Sequence, residues 1–218
     1  MKKIIINTAL SAMLLGCVHK APNYPGASGS VIVPANYVDA PCPDFSGRYE
    51  GNGHLIHGDE TARIFGQRMF FDMVFPITAK DEWQTLNKNY RKHDEAGRLK
   101  GVFFPPDFAT VTQLSDRSVF VTLSYTDAPI GSYHSEFSNK AIFVCADGKL
   151  IWGGADSIKG QSEWGSNSGN RSFSISFDDN GDLIYTRNQQ VHMHIMLGIP
   201  AGTAEYSSTY RFKRLTGQ

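Results

Sequence analysis

Ser172-Phe173-Ser174-Ile175-Ser176-Phe177-Asp178-Asp179-Asn180-Gly181 decides the fold class. Side chains alternate with a period of two along an extended chain, so Phe173, Ile175 and Phe177 fall on one face and Ser172, Ser174 and Ser176 on the other. The stretch ends on Asn180-Gly181, a pair that tolerates positive φ and suits a tight hairpin. An amphipathic strand running into such a turn reads as antiparallel sheet with one face on a core.

The alternation recurs on both sides of this stretch. Val119, Val121, Leu123 and Tyr125 share a face; so do Val191, Met193, Ile195 and Leu197, and then Tyr206, Ser208, Tyr210 and Phe212. Turn residues separate them at Ser115-Asp116, Asp147-Gly148 and 198–202. Leu150-Ile151-Trp152 and Met69 to Ile77 are further strand candidates. The expected fold is all-β, an antiparallel meander either closed as a barrel or packed as a sandwich. Lys80 to Lys92 departs from it: Trp83, Leu86 and Tyr90 share a helical face, with Asp81 and Glu82 at the N-terminal end and Arg91, Lys92 and His93 at the other. At most one short helix is therefore expected. Gly160 to Asn170 is polar and Gly/Ser-rich and reads as a long loop carrying Trp164. In a closed sheet the inward set is Val119, Val121, Leu123, Phe173, Ile175, Phe177, Val191, Met193 and Ile195. Their bulk predicts a filled interior with at most a shallow pocket near Trp164.

The N-terminal stretch is of another kind. Lys2 and Lys3 precede a mostly apolar run from Ile4 to Leu15, shorter than the about 20 residues a bilayer span requires. The pattern resembles a bacterial lipoprotein signal peptide, and Leu14-Leu15-Gly16-Cys17 resembles its lipobox. The resemblance implies cleavage before Cys17, a diacylglycerol on the Cys17 sulfur, and a chain held by lipid in the bacterial cell envelope. Val18, not Asp, follows the cysteine, which implies the outer membrane. The chain then divides into a signal peptide at 1–16, the lipidated cysteine and a tether at 17–41, and a single β domain at 42–218. The tether carries Pro22, Pro25, Pro34 and Pro41 with Gly26, Ser28, Gly29 and Ser30, too little apolar surface to offset its ordering entropy. Val31-Ile32-Val33 is the exception and reads as an edge strand. Fully extended at about 3.3 Å per residue, the tether reaches roughly 80 Å.

The domain opens with Phe45-Ser46-Gly47-Arg48-Tyr49-Glu50, which is similar to the Gly-x-Trp opening of lipocalins, with Tyr49 where that family has Trp. Ser124-Tyr125-Thr126-Asp127-Ala128 partly resembles the family's Thr-Asp-Tyr, and Arg211 or Arg214 matches its late arginine. The resemblance implies a barrel; it names no ligand.

Lys and Arg total 21, as do Asp and Glu. Loss of 1–16 removes Lys2 and Lys3 and leaves a net charge of −2, with no basic excess for nucleic acid. Three cysteines are present. With Cys17 lipidated, Cys42 and Cys145 remain, and an oxidising envelope favours a disulfide between them over two free thiols. They form no C-x-x-C, and two thiols alone do not make a four-ligand zinc site.

Motifs for chemistry are few. His192-x-His194 points two imidazoles to the same side of a strand, half of a metal site that His54 and His57 would have to complete. The polar face of an amphipathic strand accounts for them without a metal, no third ligand stands at a telling spacing, and no metal or cofactor is expected. Asp178-x-Asn180-x-Asp182 lacks the Gly and Glu of a calcium loop, having Leu183 and Gln189 there, and reads as a turn. Gly165-Ser166-Asn167-Ser168-Gly169 centres on Asn and is not a nucleophile elbow. Phe103, Phe104, Phe108, Trp152 and Trp164 suit either a pocket or a core. These observations predict a non-catalytic envelope lipoprotein serving as a structural or interaction module for another envelope protein. The alternatives are a carrier for a small apolar ligand and, third, an envelope hydrolase. Cys17→Ser tests the anchor: the variant should lose acylation and accumulate as uncleaved precursor, read by mass spectrometry and detergent partitioning. Wild-type processing of that variant would remove the anchor from the picture.

Overall fold

The hairpin signalled by Asp178 to Gly181 is the middle of a larger meander. The computed structural model describes residues 34–58, 69–78, 82, 91–93, 99–103, 106–126, 130–139, 142–162, 165–195 and 199–216. Among them run β1 (Gly47–Glu50), β2 (His54–Gly58), β3 (Arg91–His93), β4 (Leu99–Phe103), β5 (Phe108–Ser115) and β6 (Ser118–Ser124). They are followed by β7 (Gly131–Glu136), β8 (Phe143–Ala146), β9 (Lys149–Ser162), β10 (Gly165–Phe177), β11 (Leu183–Ile195) and β12 (Ile199–Phe212). A four-stranded sheet has the order β1-β5-β6-β7 and a six-stranded sheet the order β2-β12-β11-β10-β9-β8; β3 and β4 form a separate pair. All pairings are antiparallel. The two larger sheets pack as a sandwich, and no closed barrel forms. No helix among the described residues is long and apolar enough to cross a membrane.

Alternation does the work expected of it where both sheets meet. Val119, Val121 and Leu123 on β6 and Ile175 on β10 are fully buried. The β8–β9 connection is Asp147-Gly148 with φ of 51° and 70°, the pair of positive values that a two-residue hairpin turn requires. In the β10–β11 turn only Gly181 takes positive φ, at 79°. There the Asp178 side chain accepts from the Asn180 and Asp182 amides at 2.9 and 3.0 Å, so it is a turn held by its own carboxylate.

Met69 to Ile77, expected as a strand, is a plug between the sheets. Its centre is a 3-10 turn at Phe71–Met73. The reason lies in spacing: Phe71, Val74 and Phe75 stand at i, i+3 and i+4, which share one side of a helical turn but split across the faces of a strand. All three are buried. Phe71 stacks on Tyr49 at 5.5 Å between ring centroids and meets Phe212 edge-on at 5.3 Å. Phe75 meets Phe45 edge-on at 5.5 Å and stacks on Phe137 at 6.3 Å. Backbone bonds fix the plug: Phe71 donates to the Gly51 carbonyl at 2.9 Å and Gly53 to the Met69 carbonyl at 2.8 Å. Gly51 has no alternative here, because a Cβ would run into the Pro106 carbonyl.

The open margins of the sandwich are closed differently. At β1 the chain leaving β12 crosses over: Glu50 donates to Lys213, Leu215 donates to Arg48, and Tyr49 forms a bridge with Arg214. Arg214, not Arg211, is thus the late arginine against the first strand; Arg211 pairs with Asp178 at 3.3 Å. At β8 the opening segment lies along the edge. Ala40 donates to the Cys145 carbonyl at 2.7 Å, Asp39 accepts from the Cys145 amide and pairs with Arg117, and Cys42 is disulfide-bonded to Cys145. The bonded Cα atoms are 5.0 Å apart, 103 residues apart in sequence. A loop of that length gives up to about 4.7 kcal/mol in the chain-entropy model.

Other expectations change. Residues 160–162 and 165–170 are not a loop: they belong to β9 and β10, paired with each other. Of Lys80 to Lys92 only Glu82, Arg91 and Lys92 are described, and Arg91 and Lys92 are in β3. Cys17, the tether up to residue 33, Phe104 and Trp164 lie outside the described residues. Of the inward set, Phe173, Phe177 and Val191 are only half-buried, and the side chains of Met193 and Ile195 are outside the description. Phe177 borders the β10–β11 turn and packs on Phe45 at 5.7 Å; for Phe173 and Val191 the cause is strand length. β10 and β11 have 13 residues and β12 has 14, against 8 in β5 and 7 in β6. At about 3.3 Å per residue the long strands overhang the shorter sheet.

The plug's weight in the core is measurable. Phe71→Ala should cost about 3–5 kcal/mol in urea unfolding. Leu114→Ala, at a side chain 55% exposed, should stay within about 0.5 kcal/mol of wild type.

Candidate functional site

Where the long strands overhang, the inner face of the six-stranded sheet and the outer side of the plug enclose a cleft of about 640 Å³. The turn that buries Phe71 and Val74 turns Asp72, Met73, Pro76 and Ile77 towards it, with Met69 and Phe75 at its base. The opposite wall is Trp152 on β9, Arg171 and Phe173 on β10, Tyr185 and Arg187 on β11, and Tyr210 on β12. Register brings these together: Phe173 is opposite both Trp152 and Arg187, and Tyr185 is opposite Tyr210. Trp152 stacks on Phe173 at 5.3 Å, and Tyr185 packs against both at 6.2 and 6.1 Å.

Three charged groups interrupt this aromatic lining. Arg187 donates to the Gln189 side chain at 2.7 Å. The Nε of Arg171 is buried without a hydrogen-bond partner. Burial, and then the neighbouring Arg187, lower the affinity of the Arg171 guanidinium for its proton, with Tyr185 opposing. Burial likewise pushes the Tyr185 phenol up. Asp72 has one carboxyl oxygen buried with no hydrogen-bond partner. Its pKa is pushed up to about 6 by burial, which the backbone amides of Asp72 and Met73 only partly offset.

The lining offers apolar area, two cations and one carboxyl, and includes no Ser, Cys or His.

Of the residues singled out from the sequence, Trp152 and Phe173 line the cleft; the following described ones do not. Phe108 carries the Arg48 guanidinium on its ring face at 3.6 Å. Ile175 is in the core and does not reach the cleft. His192 contacts the Thr203 hydroxyl at 3.0 Å, and His54 pairs with Glu50 at 2.8 Å. His192 is opposite Thr203 and His54 is opposite Arg211, so about 26 Å of β12 separates the two pairs. Among the described residues no three His, Cys, Asp or Glu side chains group as a metal site. Asp178 and Asp182 serve the turn and Arg211, and Gly165 to Gly169 are strand. Comparison with known proteins returns no matching family model, no matching curated protein and no matching solved structure.

Asp72 makes stability depend on pH. The folded chain holds its proton up to about pH 6, whereas the unfolded chain releases it near the ordinary value of 3.8. Between these values the folded state binds more protons, so stability contributed by the neutral carboxyl falls as pH rises. Asp72→Asn should therefore match wild type at pH 3 and exceed it at pH 7 by on the order of 2 kcal/mol. Urea midpoints across that range check it; identical midpoints at pH 7 would show that the carboxyl is not desolvated.

Proposed function

We propose that this chain is a lipid-anchored envelope protein whose β domain binds a small molecule with an apolar body. The observation that carries the reading is the cleft. Its volume of about 640 Å³ falls within the roughly 300–1,000 Å³ of ligand sites, and its walls combine aromatic and aliphatic side chains with a few convergent polar groups. The carrier reading draws its support from this concave surface, which gathers apolar side chains around a space of ligand size. The signal-peptide resemblance, with Cys17 as anchor, supports the envelope as the place of action. The sandwich core itself is filled, so the ligand space lies beside the core and not within it.

N-phenyl-1-naphthylamine, a neutral fluorophore that brightens in apolar sites, tests this on the purified, unacylated full chain. It should bind saturably. Met73→Trp, which fills the cleft from the plug side, should weaken binding at least about tenfold, the scale of one lost apolar anchor. Leu114→Ala should leave it unchanged. Equal binding by wild type and Met73→Trp would place the probe elsewhere and end the cleft reading.

A further inference from the structure

We propose that the ligand is a small amphipathic anion: Arg171 and Arg187 receive its carboxylate, sulfonate or phosphate head, and the Trp152–Phe173 face takes its apolar body. The inference rests on the cleft reading above and adds the sign of the ligand's charge.

The argument starts from how this chain treats its other arginines. Arg117 pairs with Asp39 at 2.6 Å and Arg211 with Asp178 at 3.3 Å, while Arg48 lies on the ring of Phe108 and Arg214 donates to the Ser46 carbonyl, both away from the cleft. Arg171 and Arg187, which face the cleft together, pair with no carboxylate among the described residues. Arg187 reaches only a neutral amide, and Arg171 keeps a buried Nε without an acceptor. Arg171 is opposite Gln189 and Arg187 is opposite Phe173, so the two are diagonal neighbours about 7–8 Å apart. Burial and the nearby Arg187 charge both disfavour the charged form of Arg171, and no carboxylate among the described residues offsets this. A bound anion would supply what is missing: a counter-charge, acceptors for several guanidinium donors, and the forked geometry that arginine matches. Asp72 does not cancel the pair. Burial, with no arginine among its causes, sets its shift, and no ion pair joins it to either guanidinium within the 4 Å of the described pairs.

The test uses two probes that differ by one group. 8-Anilinonaphthalene-1-sulfonate is N-phenyl-1-naphthylamine with an added sulfonate. On the wild-type chain the sulfonate probe should bind about tenfold or more tightly than the neutral one, the scale of one charge-assisted hydrogen bond. Raising salt should reduce that advantage. Arg171→Gln combined with Arg187→Gln should bring the ratio of the two affinities to about one, a readout from which any change common to both probes drops out. Octanoate should displace the sulfonate probe and octyltrimethylammonium should not. Equal wild-type affinity for the two probes, or equal displacement by both amphiphiles, would overturn the anion inference; that comparison needs no variant. If instead neither probe responds to Met73→Trp, the cleft reading fails first. Neutral-probe binding that is sensitive to Met73→Trp, without any sulfonate advantage, leaves the cleft and rejects the charge.

Discussion

Everything else in this structure depends on the packing of Phe71 and Phe75 between the two sheets. Sheets in a sandwich interdigitate across about 10 Å. Here a third layer intrudes, and its rings touch Tyr49 and Phe45 near β1, Phe137 after β7 and Phe212 at the end of β12. Because the plug is a helical turn, its residues divide by the helical period. Phe71, Val74 and Phe75 go to the core, and Asp72, Met73 and Pro76 face the other way. One short segment is therefore both the centre of the core and the floor of the cleft. The rigidity that aromatic packing gives one side is inherited by the other.

The remaining geometry follows from unequal strands and from what seals the margins. The short sheet does not run under the whole of the long one, and the wall of the cleft begins where core residues Trp152 and Tyr185 give way to half-buried Phe173, Arg171 and Arg187. The sandwich does not close as a barrel because backbone pairing stops at β7 and β8; the ring contact of Phe137 with Phe143 at 5.9 Å spans that gap instead. On the far side, residues 213–215 stitch β12 to β1 with main-chain bonds. The clasp of Asp39 to Cys42 along β8 ties down an edge that would otherwise present unpaired backbone groups.

Much of this was legible in the sequence where period two was clean. Val119 to Leu123 and Phe173 to Phe177 announce their strands, Asp147-Gly148 its turn, and the two cysteines beyond Cys17 their bond. Met69 to Ile77 misled because its apolar residues are dense enough to satisfy either period; spacing at 71, 74 and 75 was the better guide. Residues 160–170 misled because a hairpin rich in Gly and Ser has no apolar face to display, and main-chain pairing alone makes it a strand. The cleft had a signal that alternation carries but hydrophobicity hides. Arg171 continues the face of Phe173 and Ile175, and Arg187 continues that of Leu183 and Tyr185. A charged residue in step with an apolar face marks the point where core ends and site begins. Asp72 had no such mark, since its place depends on a turn that only the tertiary packing selects.

The charges of the cleft also explain why they sit next to the most strongly packed part of the chain. A carboxyl held neutral to about pH 6 and two adjacent guanidiniums without counter-charges each oppose folding. Such groups persist only where surrounding structure over-determines their position. The plug supplies that constraint for Asp72, whose neighbours Phe71 and Val74 are fully buried. The aromatic faces of Trp152, Phe173 and Tyr185 supply it for the arginines. A ligand that neutralised the arginine pair would relieve part of this opposition, and any molecule that binds only the folded state stabilises it by mass action. Binding energy and folding energy thus meet at the same residues: the cost of holding Arg171 and Arg187 unpaired in the free chain is the part of the interaction that an anion has least need to create.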